Sequence, residues 1–94
     1  MVTLRIEHRI ANYESWKKAF DSDPLNRKQS GVKRYRIYRP ADDDLFVIID
    51  LDFDNIQQAQ TTQAELHKMF GMIEGKLIFG GQTKMLNVVE ETDL

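Results

Sequence analysis

Between His8 and Phe20 the spacing of large apolar side chains switches from every second residue to every third or fourth, and that switch constrains the fold more than any other feature. Upstream of it, Val2, Leu4, Ile6, His8 and Ile10 alternate with Thr3, Arg5, Glu7 and Arg9, the signature of a strand with one buried face. Downstream, Asn12 stands where an N-cap belongs, and Tyr13, Trp16, Lys17 and Phe20 fall on one helical stripe with Glu14 in the first turn. A strand followed at once by an aromatic-faced helix, predicted over Tyr13 to Phe20, points to helices packed on a sheet.

The rest of the chain repeats that alternation. Asp23-Pro24 breaks the first helix and is able to restart a short one, which Gly31 closes. Val32 to Arg39 and Leu45 to Phe53 are rich in strand formers, and Pro40 to Asp44 between them is turn chemistry, so the two read as a hairpin. Asp54 or Asn55 caps a second helix that turns Ile56, Ala59 and Thr62 inward. A further helical segment from Ala64 to Ile73 lines up Leu66, Met69, Phe70 and Ile73. Gly80-Gly81 reads as a turn before a last strand over Thr83 to Val89.

The order is therefore βαββαβ over a single domain, residues 1–94. Right-handed crossovers make this a ferredoxin-like α+β fold, an antiparallel sheet with both helices on one face. The other face has to be covered as well, because Leu45, Val47, Ile49 and Leu51 on one side and Phe46 and Ile48 on the other make the third strand apolar on both sides. A second copy is the simplest cover, two sheets closing face to face into a barrel, so a homodimer is expected. Glu90 to Leu94 is too short and acidic to do the same from within the chain.

Composition narrows the partners. A net charge of -2 gives no electrostatic reason to expect nucleic acid, the lack of cysteine removes disulfide and thiolate chemistry, and no apolar run approaches the ~18 residues of a membrane span. Arg5, Glu7, His8 and Arg9 interrupt any leader-like apolar core, so a cytoplasmic location is expected. Ninety-four residues bury only somewhat over ~60% of the surface that the unfolded chain exposes.

The chain resembles the dimeric α+β barrel superfamily, and within it the small stand-alone domains related to antibiotic-biosynthesis monooxygenases. The likeness is carried by His8 with Asn12 to Phe20, by Gly31-Val32 leading to Tyr38-Arg39, by the acidic turn Asp42-Asp43-Asp44, and by Leu51-Asp52-Phe53-Asp54. It implies a ligand cleft between helices and sheet in each subunit, where oxygenase members position a polyphenolic substrate with an Asn, a Trp, a Tyr or an Arg. Trp16 is a helix Trp of that kind.

His8 is the candidate catalytic residue, because it shares a strand face with Ile6 and Ile10, and apolar surroundings favour the neutral imidazole that acts as a base. Tyr13, Trp16, Tyr35 and Phe70 are the candidate substrate-binding residues, although Trp16, Tyr13 and Phe20 read most simply as the core stripe of the first helix. His67, beside Met69 and Phe70, is the axial ligand only if haem binds, since haem-using relatives of this fold ligate iron through a helix histidine. No cofactor and no metal are expected: neither histidine has an acidic partner at ligand spacing, and Asp42 to Asp44 is a solvated turn.

Two functions follow. One is a cofactor-independent monooxygenase or isomerase acting on a small, flat, partly apolar molecule. The other is a non-catalytic binding or dimeric interaction module using the same cleft, with haem binding or degradation as a third, lesser reading.

Overall fold

A computed structural model describes residues 1–94. The chain runs β1 (Val2–Ile10), α1 (Tyr13–Asp21), β2 (Val32–Tyr38), β3 (Phe46–Phe53), α2 (Ile56–Ile73) and β4 (Ile78–Asn87). The four strands form one antiparallel sheet in the order β2-β3-β1-β4, so each helix carries the chain past an intervening strand, as the split arrangement requires.

Local chemistry sets the helix starts. The Asn12 and Asn55 side chains accept from the backbone N–H of Ser15 and Gln58, each at 2.9 Å, and so satisfy one of the unpaired donors at each helix start. The two helical segments expected after Asn55 form one continuous helix, α2, through Thr62 and Gln63. Between α1 and β2 no second helix forms. Asp23 (φ 56°) and Asn26 (φ 53°) both adopt left-handed backbone, which interrupts a helix and leaves a turn-rich loop.

The core lies between sheet and helices. Leu4, Val47, Ile49, Leu51, Phe53 and Ile78 are almost fully buried there, each contributing roughly 1.5–3 kcal/mol of burial. From α2, Ala59, Thr62 and Leu66 are buried against them, whereas α1 buries Trp16 alone.

Gly80-Gly81 is not a turn. Both lie inside β4, where the register slips between the pairs Glu7–Gln82 and Arg9–Phe79, so that two glycines stand opposite the single residue His8. Such a bulge puts an extra residue in one strand and redirects the side chains around it. Gly80 takes the positive φ (68°), and Gly81 gives up its side-chain space to Phe70, whose ring would lie 2.7 Å from a Cβ there.

The second face of the sheet differs from the expectation of a continuous apolar surface. Ile48 and Phe46 are half-buried there, but Asp50 and Asp52 on the same strand are paired. Arg5 donates two hydrogen bonds to Asp50 (2.8 and 2.9 Å), while Thr3 and Arg34 donate to Asp52 (2.7 and 2.9 Å). The alternation is present as expected, but its apolar half stops at Asp50, and cross-strand arginines occupy the remainder.

Two glycine substitutions separate these effects. Gly71→Ala, on α2 with open space around it, should raise stability by about 0.5–1 kcal/mol. Gly81→Ala should lower it by about 1–3 kcal/mol by displacing the Phe70 ring. Urea unfolding of the two variants measures both.

Candidate functional site

A cavity of about 360 Å³ opens between α1, α2 and the sheet. Its walls are almost entirely apolar: Ile6, Ile49 and Leu51 form the floor, Trp16, Ala19 and Phe20 come from α1, and Leu66, Met69, Phe70 and Ile73 come from α2. Leu25, Leu77 and Ile78 add to this surface, and only His8, Trp16 through its indole N–H, Ser22 and Arg27 bring hydrogen-bonding side chains. A concave, largely apolar space with a few polar groups is the form that small-molecule sites take.

β1 places His8 on the floor. The bulge of β4 lies beside it, and its ring stands edge-on to Trp16 (centroids 5.9 Å apart) and to Phe70 (6.2 Å). Nδ1 lies 3.2 Å from the backbone carbonyl oxygen of Arg9, which can only accept, so this bond places the proton on Nδ1 and leaves the lone pair on Nε2. Nε2 has no protein partner. Because no buried side-chain nitrogen or oxygen lacks a partner, Nε2 must reach accessible space, and the space His8 lines is the cavity. Burial holds the imidazole below its ordinary pKa of 6.5, outweighing the Arg9 carbonyl and the more distant Glu74 carboxylate, which act the other way.

Trp16 is 5% exposed and forms the roof opposite His8. It stacks on Phe20 (5.3 Å, 29°) and is flanked by Tyr13 (5.7 Å). The indole N–H likewise has no protein partner and reaches accessible space.

Of the residues singled out from sequence, His8, Trp16 and Phe70 meet in this cavity. Tyr13 and Tyr35 stand behind its wall. Tyr13 packs between Trp16 and the Arg39 guanidinium, 4.3 Å from its ring centre, and Tyr35 packs edge-on to Phe20 at 5.1 Å. His67 lies outside, on the exposed side of α2, with Nε2 3.0 Å from the Thr83 hydroxyl, which also accepts from Gln63. Its ring approaches Phe70 (centroids 6.3 Å) but does not line the cavity. Sequence reasoning missed Arg27, a loop residue whose Nη1 donates to the Phe20 carbonyl (2.8 Å) while its guanidinium lies over the rings of Phe20 and Tyr35. Loop residues carry no periodicity, so no pattern marked it.

No protein-family model matches the sequence, and no curated protein matches it in sequence either. Solved structures do match in shape. The cofactor-independent oxygenase SnoaB from Streptomyces nogalater superposes with a TM-score of 0.73 at 10% identity, over 96% of this chain and 94% of that one. A putative antibiotic biosynthesis monooxygenase from Nitrosomonas europaea gives 0.67 at 15% identity, over 96% of this chain and 100% of that one. A dimeric ferredoxin-like protein from an uncultured marine organism gives 0.65 at 13% identity, over the full length of both. The chain has the fold of the antibiotic-biosynthesis-monooxygenase-like, dimeric ferredoxin-like proteins. At these identities the likeness speaks for the fold, and the site has to be read from its own residues.

The state of His8 has a measurable consequence. Its pKa is lower folded than unfolded, so the unfolded chain binds the proton first. The stability tied to neutral His8 is complete above about pH 6.5 and is lost as pH falls below that value toward the folded pKa. Calorimetric melting of wild type and His8→Leu at pH 8 and pH 5 should show the wild type losing more stability than the variant on acidification.

Proposed function

We propose that this protein is an enzyme of the cofactor-independent monooxygenase or isomerase kind, acting on a small, flat, partly apolar molecule held in the cavity that His8 and Trp16 line. The observation that carries the reading is the unpartnered Nε2 of a neutral, buried His8 beside an apolar cavity. Both reaction types begin with removal of a proton from carbon or from a ring hydroxyl. An acceptor lone pair in an apolar-walled cavity suits that step, and the Arg9 carbonyl keeps the other ring nitrogen as a donor.

Trp16 and Phe70 give a planar substrate an aromatic wall to pack against beside His8. In the oxygenase case the substrate carbanion itself reduces dioxygen, the co-substrate: a CH2 group and O2 give a C=O group and water. That requires a carbanion delocalised over an aromatic system, which is why a flat, electron-rich substrate fits. SnoaB, described as a cofactor-independent oxygenase, has the same fold and supports this reaction class. An isomerase would return the proton from His8 to a second carbon without consuming oxygen.

The reading also includes a homodimer formed through the open sheet face. Phe46, Ile48 and Leu86 on that face are half-buried within one chain, and Phe79 is exposed. The Arg5–Asp50 and Arg34–Asp52 pairs present matched charges beside them. The dimeric marine protein of the same fold supports this assembly.

Oxygen uptake with a panel of naphthols, anthrones and quinols tests the activity. Turnover should fall by roughly 100-fold or more in His8→Ala, with substrate still bound, as expected on removing a general base. Binding without consumption or rearrangement of any candidate would instead make the protein a binding module. Light scattering should give twice the 11.0-kDa chain mass, and Ile48→Asp should reduce it to the single mass or aggregate the chain.

A further inference from the structure

We infer that Arg27 is a specificity-determining residue, and that the ligand is an aromatic carboxylate whose hydroxyl or acidic carbon meets His8 and whose carboxylate meets Arg27. This inference rests on the reading of the cavity as a small-molecule site. Arg27 and His8 are the cavity's only ionisable side chains. Two rings lie between them: His8 touches Trp16 (5.9 Å), Trp16 stacks on Phe20 (5.3 Å), and Phe20 lies 4.0 Å under the Arg27 guanidinium. A flat molecule following the Trp16–Phe20 wall therefore runs from a base to a cation.

The guanidinium is already fixed in place. Nη1 donates to the Phe20 carbonyl, Nε lies 3.4 Å from Asp23 Oδ1, and the Phe20 and Tyr35 rings hold its plane. Its side chain is only 16% exposed, so little conformational freedom remains to be lost on binding. Nη2 has no protein partner and is not sealed from accessible space. Asp23 neutralises the charge only in part, because its Oδ1 also accepts the Arg27 backbone N–H at 2.9 Å and its ion-pair distance is long. One fixed, unused donor on a cation beside an apolar cavity suits a carboxylate oxygen better than a neutral group.

Isothermal titration of 2-naphthol and 6-hydroxy-2-naphthoate, which share ring system and hydroxyl and differ in the carboxylate that the naphthoate carries at the opposite end, tests the assignment. Wild type should bind the carboxylate about tenfold tighter or more, the return expected of a charge-assisted hydrogen bond. Arg27→Gln should abolish that preference while leaving 2-naphthol binding within about twofold. Asp23→Asn removes the competing charge at a left-handed position that Asn tolerates, and it should widen the preference severalfold. Equal affinities in wild type, or a preference that survives in Arg27→Gln, overturn the role of Arg27 while leaving the site itself intact. If Arg27→Gln does not fold, an unchanged preference in Asp23→Asn overturns it, and if neither compound binds wild type, both this inference and the site fall.

Discussion

Trp16 is the one buried residue of α1, and the cavity exists because of how that helix rests on the sheet. A helix seated through several small side chains would approach the strands closely and leave no space. Here a single large ring, steadied by Phe20 and Tyr13, meets His8 on β1 and props the helix away from the floor. α2 does the opposite, lying close over the sheet through Ala59, Thr62 and Leu66. One helix seals and the other spans, so the apolar interior is continuous with a 360 Å³ opening that the chain's own side chains leave unfilled.

The two faces of the sheet solve different problems. The helix face is fixed by hydrophobic burial, in which residues of β1 and β3 alternate inward without exception from Val2 to Ile10 and from Val47 to Phe53. The open face is ordered by cross-strand pairs of opposite charge, Arg5 with Asp50 and Arg34 with Asp52, directly opposite in register or nearly so. Exposed pairs of this kind add little stability, but they fix the rotamers of the arginines and present a patterned surface to whatever covers it.

Much of the fold is legible in the sequence because it follows from short-range rules. The strand period marks β1, Asn12 marks the first helix start and Asp54-Asn55 the second to within one residue, and the acidic turn at Asp42 to Asp44 marks the hairpin. Gly80-Gly81 reads as a turn because a glycine pair usually is one. That it serves as a bulge goes with Phe70, from the preceding helix, taking the space over Gly81. The charge pairing of the open face escapes a sequence reading for a related reason: Asp50 and Asp52 look like the end of a strand until β1 and β2 bring arginines beside them. At the site, His8, Trp16 and Phe70 sit on periodic elements and can be placed, whereas Arg27 sits in a loop whose path is set by two left-handed residues.

The same burial that leaves Nε2 of His8 free also makes it a poor base toward an ordinary phenol in the absence of compensation, since the imidazolium is disfavoured in an apolar wall. Compensation has to come from the ligand. In the proposed reaction a proton passing to His8 leaves the negative charge on the bound molecule a few ångströms away, and the ion pair forms against apolar walls that screen it little. The cavity therefore favours proton transfer only with a ligand whose anion is delocalised and held against the Trp16 and Phe70 rings, because a localised anion would be as costly to bury there as the imidazolium. Flatness and conjugation in the proposed ligand thus follow from where His8 lies, through the electrostatics of the wall rather than its shape alone.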